Sequence, residues 1–175
     1  FSYKSFISKA ACDLCIMKPE TCHFDKGTCR EPEWAKSHCF RPHYVYLSNT
    51  GNVKVGITRD TQIPTRWIDQ GAEEALAILR VKDRMTSGLL EVEIKNFVGD
   101  KTNWRKMLKG GFESVDLYAV RDEIFDSIES IIDDFDAEML EEDQVMLKFP
   151  VQIAPDKVKS LSFDKSPIIE GVLNG

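Results

Sequence analysis

Five cysteines, Cys12, Cys15, Cys22, Cys29 and Cys39, crowd one short N-terminal stretch, and His23 and His38 each abut one of them. Cys12 and Cys15 are spaced as a Cys-x-x-Cys knuckle, which lets two thiolates reach one ion. Four soft ligands in a tetrahedron suit Zn²⁺. The stretch has too few large apolar residues to hold itself together, so a bound metal would supply its folding energy. A redox Cys-x-x-Cys pair wants a strand–helix context that is absent here, and nothing speaks for the oxidising compartment that disulfides need. The expectation is a structural zinc held by Cys12, Cys15 and two of Cys22, Cys29 and Cys39. Spacing alone leaves an iron–sulfur cluster and uncoordinated thiols as alternatives, and does not say which cysteine is left over.

A second set of residues has the makings of phosphodiester chemistry. That reaction needs a base to activate water, a cation to hold the phosphate, and usually a divalent metal on a carboxylate. Tyr46 offers a phenol with an ordinary pKa of ~10, and a nearby ammonium such as Lys54 would favour its ionised form. Arg66 offers a planar fork suited to phosphate oxygens. Glu91 and Glu93 lie two apart and cannot share a helical face. Glu91, three residues before Ile94 on the apolar stripe Leu90, Ile94 and Phe97, is the preferred metal ligand, a choice for which Mg²⁺ or Mn²⁺ is the expected ion. Tyr44, Gly56, Thr58 and Arg59 flank these groups as candidate substrate contacts. Trp67 and Trp104 read as packing residues rather than stacking platforms.

These side chains need a scaffold, and the pattern supplies one. Apolar runs at 44–48 and 53–57 flank Asn49-Thr50-Gly51-Asn52, a turn cluster that closes a β-hairpin. Residues 63–70 read as a helix with Pro64 in its first turn, 75–81 as a third strand, and 87–98 as a helix. A long helix is expected over 115–142, with apolar residues Leu117, Val120, Ile124, Ile128, Ile131, Phe135 and Met139 at three- and four-residue spacing and acids elsewhere. Residues 145–175 read as short extended segments punctuated by prolines. The expected class is α+β: a small antiparallel sheet with packed helices. The divisions are a Cys-rich module at 1–42, the core at 43–111, the acidic helix at 112–143 and an extended segment at 144–175.

Tyr44-Val-Tyr46 and Lys54-Val-Gly56, with Arg66 on the next helix, resemble the core of a GIY-YIG nuclease. Tyr44 stands at that motif's first glycine and Lys54 at the first tyrosine of its second triplet, a place where some branches carry lysine. The resemblance implies a metal-dependent endonuclease with Tyr46, Lys54, Arg66 and Glu91 as its catalytic residues. Glu91 falls where related sequences place their metal-binding glutamate, four residues before a basic position, here Lys95. The longer run His43 to Ala72, with the cysteines ahead of it, resembles an uncharacterised prokaryotic family whose members carry a close equivalent of Gln62-Ile-Pro-Thr-Arg-Trp-Ile-Asp-Gln-Gly71. Members of that family typically extend past both ends of this chain, so the sequence reads as incomplete, with 168–175 a strand entering a turn.

At 175 residues with 42% hydrophobic and 30% charged content, the composition is that of an ordinary globular protein. No apolar run approaches the ~20 residues that span a bilayer, so no membrane partner is expected and a cytoplasmic location is the default. The net charge of −6 hides an asymmetry: residues 1–111 carry 18 Lys/Arg against 13 Asp/Glu, and residues 112–175 carry 5 against 16. The motif-bearing part is therefore mildly basic, and local charge decides whether a polyanion is held. Two readings follow. One is an endonuclease whose zinc module helps grip nucleic acid; the alternative is a non-catalytic module binding nucleic acid or protein on the same scaffold. A weaker third reading has the acidic helix dock a basic protein partner.

Overall fold

A computed structural model describes residues 2–173. In chain order the helices are α1 (Tyr3–Ser8), α2 (Pro32–His38), α3 (Thr65–Asp69), α4 (Arg84–Ile94), α5 (Trp104–Lys109) and α6 (Leu117–Asp134). The strands are β1 (His43–Asn49), β2 (Val53–Arg59), β3 (Glu74–Val81), β4 (Glu138–Met139) and β5 (Val145–Met146). Three short 3₁₀ turns between α1 and α2 carry most of the cysteine segment. The five strands make one antiparallel sheet in the order β2-β1-β3-β4, with β5 also on β3. The α+β expectation holds.

Period-two alternation sorts the strand side chains onto two faces. Val45, Leu47, Val55, Leu76 and Ile78 pack with Leu90 and Ile94 of α4 and with Leu117, Ile124, Ile128 and Ile132 of α6. On the opposite face Tyr46, Ala75 and Ala77 pack with Trp67 of α3 and with Leu140. The hairpin forms as expected, with Gly51 at φ +95 in its turn and Tyr46 paired with Gly56. The Lys106 ammonium reaches the Gly51 carbonyl and ties α5 to that turn.

Three boundaries differ from expectation. The helix expected over 115–142 stops at Asp134, because Asp136 takes φ +50 and reverses the chain. Met139, four residues beyond Phe135, kept helical spacing but lies in β4 opposite Leu79. Asp83 caps α4 by accepting from the Thr86 N–H at 2.8 Å, so the helix runs earlier than 87–98 and Phe97 falls outside it, exposed. After β5 the chain forms no further strand among the described residues; 168–173 carry no regular structure, and 174–175 lie outside the described residues.

A buried carboxylate secures the third strand. Glu74, 2% exposed, accepts from Asn49 Nδ2 at 3.0 Å, from the Val115 N–H at 3.0 Å and from the Ser114 hydroxyl. Burial alone would raise its pKa, but the bonds from Ser114, Asn49 and Val115 outweigh it and hold the carboxyl below its ordinary value. Glu74→Ala strands three donors and should destabilise the fold by roughly 3 kcal/mol in urea unfolding at neutral pH. Because the folded pKa is depressed, this contribution is present above the ordinary carboxylate value and is lost as pH falls through the folded one. The gap between Glu74→Gln and the natural protein should accordingly narrow in acid.

Candidate functional site

Along the edge strand β2 runs an open cleft of about 480 Å³. Tyr46, Lys54, Arg66 and Glu91, from β1, β2, α3 and α4, all line it. Gly56, Thr58 and Arg59 line it as well. Tyr44 does not. The β1–β3 register shifts between Val45 and Tyr46, and Tyr44 lies opposite Arg80, close enough to act on that guanidinium. Gln62, Gln70, Arg84 and Asp100 complete the polar lining, with Ile16, Met17 and Pro19 of the cysteine segment as a wall. Four cations, Lys54, Arg59, Arg66 and Arg84, thus face two carboxylates, Glu91 and Asp100.

Gln70 organises the catalytic candidates. Its Oε1 accepts from the Lys54 ammonium, and its Nε2 donates to the Tyr46 hydroxyl and to the Arg66 carbonyl, the last at 2.8 Å. Lys54 was expected to favour the Tyr46 phenolate directly; instead the carboxamide stands between them. Tyr46 is 1% exposed, and its ring packs edge-on to Trp67 with centroids 6.0 Å apart. Burial pushes its phenol above the ordinary value, against the opposing pull of Gln70 and Arg66. Lys54, 5% exposed, is lowered by burial and then by Arg66. Glu91 is raised by burial, with Asp100 and Glu20 adding to the rise and Lys95 and Lys54 opposing it. Lys95 holds Asp100 at 3.3 Å.

Gly56 has a reason the hairpin pattern did not reveal. A Cβ there would sit 2.5 Å from the Tyr46 hydroxyl oxygen and 2.6 Å from Cζ, so the glycine is the floor on which the Tyr46 ring rests. Gly88 serves similarly on α4. A Cβ there would meet Pro19 Cβ at 2.7 Å and the Glu20 nitrogen at 2.8 Å, so the cysteine segment docks on α4 through this gap. Sequence reasoning missed Gln70, Arg84 and Asp100. Gln70 stood inside the Gln62–Gly71 run singled out for its particularity, whereas nothing local marked Arg84 or Asp100.

All five cysteines are free thiols and half-buried. Cys15, Cys22 and Cys39 line one small cavity of about 80 Å³ beneath α4, together with Arg84. Burial pushes Cys39 up to about 11, and Cys22, Cys15 and Cys29 all add to the rise. Burial also raises Cys15, with Asp13, Cys22 and Cys29 contributing. Cys12 acts on neither. It ends the turn Ala10–Cys12, and an extended Asp13 separates it from the next turn, Leu14–Ile16. Asp13, Cys15 and His23 also offer ligand atoms within 4.8 Å of one another, a possible metal-binding group. Arg30 already holds the Asp13 carboxylate at 2.7 Å.

His43, the first residue of β1, is fully buried, with Nδ1 on the Arg41 carbonyl at 2.8 Å. Over residues 1–175 the chain matches the model of a family described as a protein of unknown function, DUF2797. The chain belongs to that family. No curated protein and no solved structure matches it. No helix among the described residues is long and apolar enough to cross a membrane.

Within this DUF2797 fold, Gly56→Ala should displace the Tyr46 ring and break its bond to Gln70. Overpacking of this kind costs about 1–3 kcal/mol. Thermal unfolding should show the loss, and the double variant of Gly56→Ala with Tyr46→Ala should lose less than the sum of the two single costs.

Proposed function

We propose that this protein is a metal-dependent phosphodiesterase acting on nucleic acid, with the cleft along β2 as its active site. The observation that carries this reading is the convergence of Tyr46, Lys54, Arg66 and Glu91, from four separate elements, on one solvent-open cleft. The resemblance of the hairpin to the GIY-YIG core supports the same assignment. Arg66, exposed at the cleft, clamps the phosphate, and the Lys54 ammonium adds positive charge behind it. Glu91 and Asp100 would hold Mg²⁺ or Mn²⁺; burial and the Asp100 carboxylate disfavour ionisation of Glu91, a conflict that a cation between the two would relieve. The divalent ion would offset the phosphate charge as it grows toward the transition state.

Tyr46 takes the proton of the attacking water. Gln70 fixes its oxygen, and Arg66 favours the ionised form. Because burial raises its pKa, Tyr46 is neutral at pH 7, and the base form grows only as the solution turns alkaline. Cleavage should therefore climb with pH through 7 to 9, by about tenfold per unit for a base titrating above that range. Tyr46→Phe should lower the rate by ~10²–10⁴-fold with folding intact, and Arg66→Ala should weaken binding and turnover together. The assay uses single- and double-stranded DNA and RNA with Mg²⁺ and Mn²⁺. A rate unaffected by both substitutions places the activity elsewhere. The buried, already bonded Tyr46 hydroxyl favours a second reading, a binding module without turnover. Salt-sensitive binding that depends on Arg66, with no cleavage of any substrate, would establish it.

The cysteine segment takes a structural Zn²⁺ on Cys15, Cys22, Cys29 and Cys39. Support comes from three of these thiols sharing one cavity and from the effect of Cys29 on two of them. Four thiolates are the donor set zinc favours. Purified protein should contain about one zinc per chain. Cys22→Ser and Cys39→Ser should lose it and destabilise the segment, while Cys12→Ser keeps it. Zinc loss in Cys12→Ser would restore the knuckle expected from spacing.

A further inference from the structure

Four of the five arginines away from the cleft are matched with carboxylates, and the fifth, Arg105, lies over the Trp104 ring at 4.2 Å. Arg30 holds Asp13 at 2.7 Å, Arg41 holds Asp60 at 2.8 Å, Arg80 holds Glu138 at 2.8 Å and Arg121 holds Asp122 at 2.8 Å. Arg59 and Arg84, which both line the cleft, have no carboxylate within salt-bridge distance among the described residues. Their positions are nonetheless built. Arg59 Nη1 donates to His38 Nδ1 at 3.1 Å, which requires a neutral His38, and the His38 ring stacks on Trp34 at 4.0 Å. Arg84 Nη2 donates to the Ile16 carbonyl at 2.5 Å, while its Nε is buried with no partner. Burial, and then the neighbouring Arg59, disfavour the charge on Arg84. Both guanidiniums retain donors for a ligand with several acceptor oxygens.

From this arrangement we infer that Arg59 and Arg84 form a second phosphate subsite in the cleft, separate from the phosphate clamp at Arg66 and Lys54. On the proposed phosphodiesterase reading, on which the identity of the ligand rests, the occupant is a backbone phosphate neighbouring the scissile one. Arg59 closes the C-terminal end of β2 and Lys54 lies near its start, so two phosphates of one strand can be gripped along the same edge. A phosphate clamp of this kind contributes affinity and register without reading bases.

The test measures binding of a short oligothymidylate and of pyrophosphate to the full chain over a range of salt, without divalent ions. The variants are Arg59→Gln, Arg59→Lys, Arg84→Gln and Arg66→Ala, each checked for folding by thermal unfolding. Each phosphate contact on a single strand contributes about 0.7 to the slope of log affinity against log salt. Arg59→Gln should lower that slope by about 0.7 and weaken oligothymidylate binding about tenfold at low salt. Arg59→Lys should keep most of the slope. Arg84→Gln should repeat the loss; because it also releases Ile16, Arg59 is the deciding position if Arg84→Gln unfolds. Unchanged slope and affinity in a folded Arg59→Gln, with binding lost in Arg66→Ala, would overturn the subsite and leave the phosphodiesterase reading standing. Pyrophosphate binding weakened by Arg59→Gln, with no oligothymidylate bound by the natural protein, would keep the subsite and remove nucleic acid as its ligand. Failure to bind either probe would overturn it.

Discussion

One side-chain amide holds the cleft together. Gln70 sits just past α3, yet its two polar atoms reach Lys54 on β2 and Tyr46 on β1. A five-residue helix has little stability of its own. What fixes α3 is Trp67 buried against Tyr46 on one side and the Gln70 bridge on the other. Arg66 directly precedes Trp67 and its carbonyl accepts from Gln70 Nε2, so the exposed guanidinium is carried on a constrained turn of backbone. An amide suits this place because it donates at one end and accepts at the other. It pairs a lysine and a phenol without adding a charge to a site that already has an excess of cations.

The charge balance of the cleft follows from what stands behind each group. Lys54 is nearly buried and has only a neutral hydrogen-bond partner, so its ammonium is poorly solvated. Glu91 is half-buried beside another carboxylate, so its own charge is also disfavoured. A phosphate near Lys54 and a cation near Glu91 would each relieve one of these penalties, and each would assist the other. Perturbed titrating groups also occur in purely structural networks. Here the cations lining the cleft outnumber its carboxylates, and a self-contained ionic network has no need of that surplus.

Much of the scaffold was legible because period two and period 3.6 leave separate marks. The hairpin and β3 followed from short apolar runs and from the turn cluster Asn49 to Asn52. Tyr46, Lys54, Arg66 and Glu91 could be chosen by chemistry and then found together. Asp100 could not, because it follows α4 in a loop whose place is set by a backbone bridge between Gly99 and Lys54. Nor could Arg84, whose cleft position depends on the cysteine segment folding over α4. The overlong α6 shows the limit of periodicity: an apolar residue four places on continues a helix only if the intervening backbone does, and Asp136 does not.

Arg84 also explains why the cysteine segment and the cleft form one mechanical unit. Its side chain lines both the cleft and the small cavity shared by Cys15, Cys22 and Cys39. Through Nη2 it grips the Ile16 carbonyl, one residue past Cys15, while Gly88 on the same helix admits Pro19. Ile16, Met17 and Pro19 then wall the cleft. The segment buries little of its own apolar surface, with Leu14 and Met17 exposed, so its shape depends on α4 and on whatever holds the thiols. An ion that ordered the cysteines would therefore order a wall of the cleft and seat one of its arginines. The two parts that looked separable in sequence, a metal module and a core, meet at this guanidinium, and neither the depth of the cleft nor its charge is set by the sheet alone.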